Sequence, residues 1–274
     1  MAGPYRLDRA LLRVSGPDAR EFLQNLLTQD LVGLDAARVL YAGLLTPQGK
    51  VLADMSVWAD ADGAVIIETD PKFGPDLTRR LAMYKLRADV DVADISEQRH
   101  ILFAPTQFDG AVPDPRFPGG QLGWRKIDAG TAPPGAEIYT DLRLALGAPE
   151  LSVDAQPEEV FALEALFEEL HGVDFQKGCF VGQENVSRMK RRATTRKKFC
   201  PIVFDGSSPA PGAAITAGAA ELGTARSGVQ GRAMALLRLD RALEAREPLV
   251  CESRSVRLDP PAWLILPPRA EETR

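Results

Sequence analysis

Directly after Gly16-Pro17, apolar residues fall at helical spacing, with Phe22, Leu23, Leu26 and Leu27 on one face. Pro17 suits the start of such a helix, where its missing N–H would have no partner. The period then shortens. Residues 38–45 and 50–58 are apolar runs flanking Thr46-Pro47-Gln48-Gly49, which predicts a β-hairpin. Residues 64–69 follow the Asp60-Ala61-Asp62-Gly63 turn as a third strand, a helix is expected over about 75–87, and a short alternating strand over 88–95.

Between residues 104 and 120 the chain carries four prolines and three glycines, the composition of a loop joining structural units. A strand over 122–127 and a helix over 137–146 follow. Pro157 then opens an expected helix over 157–170, with Val160, Leu163, Phe167 and Leu170 on one face. After Lys198 come short apolar runs separated by turns, at 200–204, 213–216, 221–229, 233–239, 249–251 and 263–266, which predict a small β-barrel. Strands, a helix and more strands indicate an α+β fold, not a doubly wound sheet. Three portions result: mixed α/β units over 1–103 and 104–198, and a barrel over 199–274.

Composition narrows the function classes. The 274 residues are 45% hydrophobic and 26% charged, with a formal net charge of −5, an ordinary globular balance. No run of 18 apolar residues is present, and the start, Met1-Ala2-Gly3-Pro4, lacks the apolar core of a secretory leader, so a cytoplasmic protein is expected. Cys179, Cys200 and Cys251 are odd in number and widely spaced, without a Cys-x-x-Cys pair. That speaks against a disulfide framework, and against zinc or an iron–sulfur cluster held by this chain alone, since those take about four soft ligands. His100 and His171 are too few for an imidazole-rich metal site.

The chemistry concentrates in Lys177-Gly178-Cys179-Phe180-Val181-Gly182-Gln183-Glu184. Two glycines permit unusual backbone conformations and close approach of a ligand to the main chain. If Gly182 opens the next helix, free N–H groups and the helix dipole face Cys179, and with Lys177 they favour a thiolate or a bound carboxylate. A glycine-rich connector carrying a small cysteine satisfies the same spacing. Cys200 and Cys251 fall in apolar strand-like runs, where a cysteine is an inert packing residue.

The same eight residues, with Arg188 four positions after the Gln183-Glu184 pair, resemble the signature of the YgfZ family of folate-binding proteins, relatives of the glycine-cleavage T-protein. The stretch from Val14 to Gln24, Thr28-Gln29-Asp30, and Leu45-Thr46-Pro47-Gln48-Gly49-Lys50-Val51 are similar to that family's amino-terminal pattern. The resemblance implies a T-protein-like cloverleaf, two α/β portions around a central channel plus the barrel, and support of iron–sulfur cluster assembly or repair in enzymes that include tRNA-modifying ones. It implies tetrahydrofolate in the channel, with Glu164 on the pterin edge through paired N–H bonds and Asp54 near the folate amines. Gly178, Gly182, Gln183, Glu184 and Arg188 would bind, while Lys177 and Cys179 line the mouth. Where the aminomethyltransferases have two adjacent aspartates, this chain has Ala53-Asp54, which weighs against aminomethyl transfer.

Residues 188–198 add seven cations and no anions. A solvated face, a seat for a polyglutamylated folate tail and an RNA-docking patch all fit such a run. The folate tail is favoured over RNA, because no aromatic residue interleaves the cations to stack bases. A noncatalytic RNA- or protein-binding adaptor and an active aminomethyltransferase are the alternatives to the cluster-assembly reading. Arg192-Ala193 stands where the family pattern has Arg-Gly.

Overall fold

The computed structural model describes residues 3–193 and 195–268. Met1, Ala2 and Thr194 of the basic run therefore lie outside the described residues. The chain begins with β1 (Tyr5–Leu7), β2 (Ala10–Ser15) and α1 (Ala19–Leu26), whose Ala19, Phe22, Leu23 and Leu26 are buried on the face the spacing predicts. Next come β3 (Leu40–Leu45), β4 (Val51–Ala59), β5 (Val65–Thr69), α2 (Gly74–Tyr84) and β6 (Asp91–Asp94). Strands β2 to β6 form an antiparallel sheet ordered β3-β4-β5-β2-β6. The β3–β4 turn closes through Thr46 N–H to Lys50 O at 2.8 Å and Gly49 N–H to Thr46 O at 2.8 Å, with Gly49 left-handed at φ 83°.

A second sheet, ordered β1-β7-β9-β8, contains β7 (His100–Ala104), β8 (Val112–Pro113) and β9 (Trp124–Asp128). The proline-rich stretch predicted as a plain loop thus contributes β8, and it buries Asp114 and Arg116. Helices α3 (Ala136–Leu146) and α4 (Leu151–Asp154) follow.

The helix expected over 157–170 is absent. That stretch is a succession of turns, with Leu166 left-handed at φ 63° and Phe167 N–H bonding Ala162 O instead of the i−4 carbonyl. Val160, Ala162, Leu163, Ala165, Leu166, Phe167 and Leu170 are all buried. Packing on every side, not on one helical face, sets the local conformation.

After α5 (Gln183–Arg192) comes a closed barrel: β10 (Lys197–Phe204), β11 (Ala214–Ala217), β12 (Ala220–Val229), β13 (Arg232–Arg238), then α6 (Leu239–Glu244), β14 (Leu249–Cys251) and β15 (Arg254–Leu258). The strand expected at 263–266 is irregular, and β15 closes the barrel in its place. Its alternation of Arg254, Val256 and Arg257 has no apolar run to announce it. Cys200 and Cys251 are buried in barrel strands, and burial pushes the Cys200 thiol up to about 12.

Candidate functional site

The signature loop is built onto two amino-terminal elements. Gly182 caps α5 in a left-handed conformation, φ 84°, beside the β3–β4 turn, and Asn185 Nδ2 donates to Gln48 O at 2.8 Å. Upstream, Asp174 N–H bonds Thr28 O at 3.1 Å, and Asp174 Oδ1 accepts the amides of Gln176 (2.7 Å) and Lys177 (3.2 Å). Between these attachments Gly178 and Cys179 are exposed, while Phe180 is buried. Gln183 Nε2 braces the loop by donating to Gly178 O at 3.2 Å. Glu184 and Arg188 are exposed and border a shallow cleft of about 290 Å³ with Pro47, Gln48 and Phe161.

Lys177 is turned under the loop. Its ammonium donates to the carbonyl oxygens of Gln24 (2.7 Å), Leu27 (2.7 Å) and Gln29 (2.9 Å), so all three N–H groups are engaged away from the solvent that Cys179 faces.

Asp54 belongs to a different cluster. It is buried on β4, where Tyr41 donates its hydroxyl to Oδ2 at 2.8 Å. Around it lie three guanidiniums. Arg125 meets Glu68 at 2.6 Å and Asp114 at 3.0 Å, Arg116 meets Asp114 at 2.9 Å, and Arg9 meets Glu150 at 3.2 Å. Tyr139 links the set, accepting from Arg116 at 2.6 Å and donating to Glu150 at 2.7 Å. Asp114, between two arginines, is held down at about 2, and Glu150 is likewise lowered by Arg9 and Arg116. Burial and repulsion from Glu150 push Asp54 up.

This cluster leaves little open space. The cavity that Asp54 lines has a volume of about 20 Å³, room for a water, whereas ligand pockets run to about 300–1,000 Å³. Tyr41 separates it from an open cleft of about 650 Å³ bordered by Arg38, His171, Val173 and Phe175. Arg9, Tyr139 and Glu150 separate it from another of about 460 Å³. Beside Asp54 itself, paired side chains leave room for little more than a water, and the space large enough for a ligand begins on the far side of Tyr41.

Glu164 does not share that cavity. Its Oε2 accepts the Phe161 N–H at 2.9 Å, capping a turn, and burial raises its pKa despite Lys197 and Lys50. The basic run divides by exposure. Arg188, Lys190, Arg191, Arg192 and Arg196 are exposed, Lys190 pairs with Glu168, and Lys198 is buried against Glu169 at 2.5 Å.

The structure thus gathers Lys177, Gly178, Cys179, Gly182, Gln183, Glu184 and Arg188 at one place and leaves Asp54 and Glu164 elsewhere. Sequence reasoning missed Arg9, Glu68, Arg116, Arg125 and Glu150. The one signal was a charge inside an apolar strand, as in Val65-Ile66-Ile67-Glu68.

Fold and comparisons agree. Residues 10–103 match the GCVT N-terminal domain and residues 196–265 the CAF17, C-terminal beta-barrel domain. The crystal structure of glycine cleavage system aminomethyltransferase T from Bartonella henselae superposes with a TM-score of 0.72 over 96% of this chain and 87% of that one, at 16% identity. The chain therefore has the GcvT-like fold with a carboxy-terminal six-stranded barrel. It is 31% identical to the iron-sulfur cluster assembly factor IBA57, mitochondrial, of Homo sapiens, over 80% of this chain and 70% of that protein. It belongs to the IBA57 family, which narrows the wider YgfZ resemblance.

The homologue from Mycosarcoma maydis is 31% identical over 76% of this chain and 58% of its own length; that from Neurospora crassa is 30% identical over 73% and 54%. The chain spans less than two thirds of these two fungal relatives. The relatives named here are mitochondrial proteins, which overturns the cytoplasmic expectation. An apolar leader core is a test for secretion only, since mitochondrial transit peptides are amphipathic and arginine-rich.

Proposed function

We propose that this chain supports iron–sulfur cluster assembly, with Cys179 as the residue that meets the cluster or its precursors as cargo. The observation that carries the reading is the exposed Cys179 on a loop fastened at both ends, in a chain whose relatives are named iron–sulfur cluster assembly factors. A thiolate is a soft ligand suited to iron. One cysteine supplies one ligand where a cluster takes about four, so an iron–sulfur carrier or client supplies the others. Aminomethyl transfer is not favoured, because Ala53 replaces one carboxylate and the space beside Asp54 is filled.

The test is complementation. In cells lacking the protein, the wild-type chain is expected to restore activity of iron–sulfur enzymes, tRNA-modifying ones included, and Cys179→Ser to fail while remaining folded by circular dichroism. Full rescue by Cys179→Ser overturns the reading. Calorimetric titration with tetrahydrofolate is expected to give no binding that Asp54→Asn alters.

A further inference from the structure

We propose that Lys177 is the positioning residue of the Cys179 loop, clamping it onto carbonyls at and just beyond the carboxy-terminal end of α1 so that Cys179 is presented in one place. The proposal rests on Cys179 being the functional thiol. Helix α1 ends with unpaired carbonyls and the negative end of its dipole, and it has no basic residue in its own last turn. Lys177 supplies that cation from 150 positions further along the chain, and its three N–H groups match the three oxygens of Gln24, Leu27 and Gln29.

Neighbouring bonds lace the two segments together. Thr28 Oγ1 donates to Gly172 O at 2.5 Å, and Gln29 Nε2 donates to His171 O at 2.6 Å. Cys179 thus lies two residues beyond the clamp and one before the buried Phe180, and Gln183 Nε2 holds the Gly178 carbonyl between them at 3.2 Å. The Phe180 ring is 5.4 Å from the ammonium, and Asp30 and Asp174 are the acidic groups facing it from the α1 side and from the loop. Burial lowers Lys177 to about 8 even so.

Hydrogen exchange on the full chain, read by mass spectrometry, tests this. Lys177→Met is expected to lower protection of residues 173–182 by about tenfold or more while strands β10 to β13 keep theirs. Lys177→Arg, which keeps the charge and its N–H donors, is expected to retain most of that protection where Lys177→Met loses it. An unchanged loop in Lys177→Met overturns the proposal, as does a loop no better protected in Lys177→Arg than in Lys177→Met. If Lys177→Met loosens the barrel as well, the comparison with Lys177→Arg decides. Rescue by Cys179→Ser would sink the proposed function and leave these exchange results standing. An inactive Cys179→Ser beside a fully protected, active Lys177→Met would sink the clamp alone.

Discussion

Gly49 and Gly182 face each other across the contact between the β3–β4 turn and the start of α5. A Cβ on Gly182 would sit 3.1 Å from Gly49 Cα and 2.7 Å from Thr46 O, and one on Gly49 would sit 3.2 Å from Asn185. The two glycine-bearing motifs, more than 130 residues apart in sequence, meet backbone to backbone. Both residues are left-handed, so neither accepts a side chain without strain as well as collision.

Gly182→Ala is therefore expected to destabilise the fold by about 2–3 kcal/mol. Gly178 is the contrast: a Cβ there would meet no atom within 4 Å, and its φ is not positive. Gly178→Ala is expected to leave stability within about 1 kcal/mol, on the stabilising side, while weakening the proposed cluster-assembly function if a partner approaches the backbone beside Cys179. Urea unfolding and complementation read the two effects separately. A large stability loss in Gly178→Ala would remove this argument.

The barrel is fastened to the rest by a buried ion pair. Arg143 on α3 donates to Asp154 at 3.0 Å and to Ser227 Oγ on β12 at 2.7 Å, and Asp154 accepts the Ser227 amide at 3.0 Å. Arg143→Met strands a buried carboxylate, for an expected loss of about 3–5 kcal/mol at neutral pH. Burial already raises Asp154. The deficit should shrink toward acid pH as that carboxylate is neutralised, and a deficit independent of pH would contradict the assignment.

What the sequence revealed depended on the range of the interaction that decides each element. The β3–β4 hairpin was legible because Pro47 and Gly49 are turn residues whose effect is local, and five barrel strands were legible because turns punctuate short apolar runs. The signature loop was visible through its glycines, Lys177 and Cys179. The central charge cluster was not, because Glu68 and Arg125 come from two different sheets and Arg9, Asp114 and Glu150 from connections far apart in the chain. The 157–170 stretch failed for a related reason: Leu166 takes a left-handed conformation that its own side chain disfavours, and only all-round burial holds it there. Lys177 was recognised as important, yet its partners on α1 made it a clamp, not the neighbour that tunes Cys179.

The central cluster predicts opposite pH signatures for two aspartates. Asp54 is raised on folding, so its contribution is fully present below the usual carboxylate range and is lost as pH rises through its folded value. Asp54→Asn removes the burdensome charge and keeps an acceptor for Tyr41, for an expected gain of about 1 kcal/mol near pH 7.5 and none near pH 3.5. Asp114 is lowered to about 2, so its contribution is present above the usual range and is lost as pH falls through about 2. Asp114→Asn should lose about 3 kcal/mol or more at neutral pH, since Arg116 and Arg125 lose a shared partner. Equal pH profiles for the two variants would refute the charge assignment.

Ala193 occupies a glycine's place. It follows α5 in a left-handed conformation, φ 47° and ψ 39°, with its N–H turned back to Lys190 O at 3.2 Å. A left-handed L-residue is strained by about 1–2 kcal/mol, and helices commonly end on glycine for that reason. Glycine adds freedom to the unfolded chain, which offsets part of the relief. Ala193→Gly is thus expected to stabilise the protein by about 0.5–1 kcal/mol, raising the urea midpoint without changing the slope. Because Ala193 lies at the opposite end of α5 from Cys179, the alkylation rate of Cys179 should not change. A lower midpoint would show that the left-handed turn is not held at Ala193 in solution, and the basic run beyond it would then leave α5 along a different path.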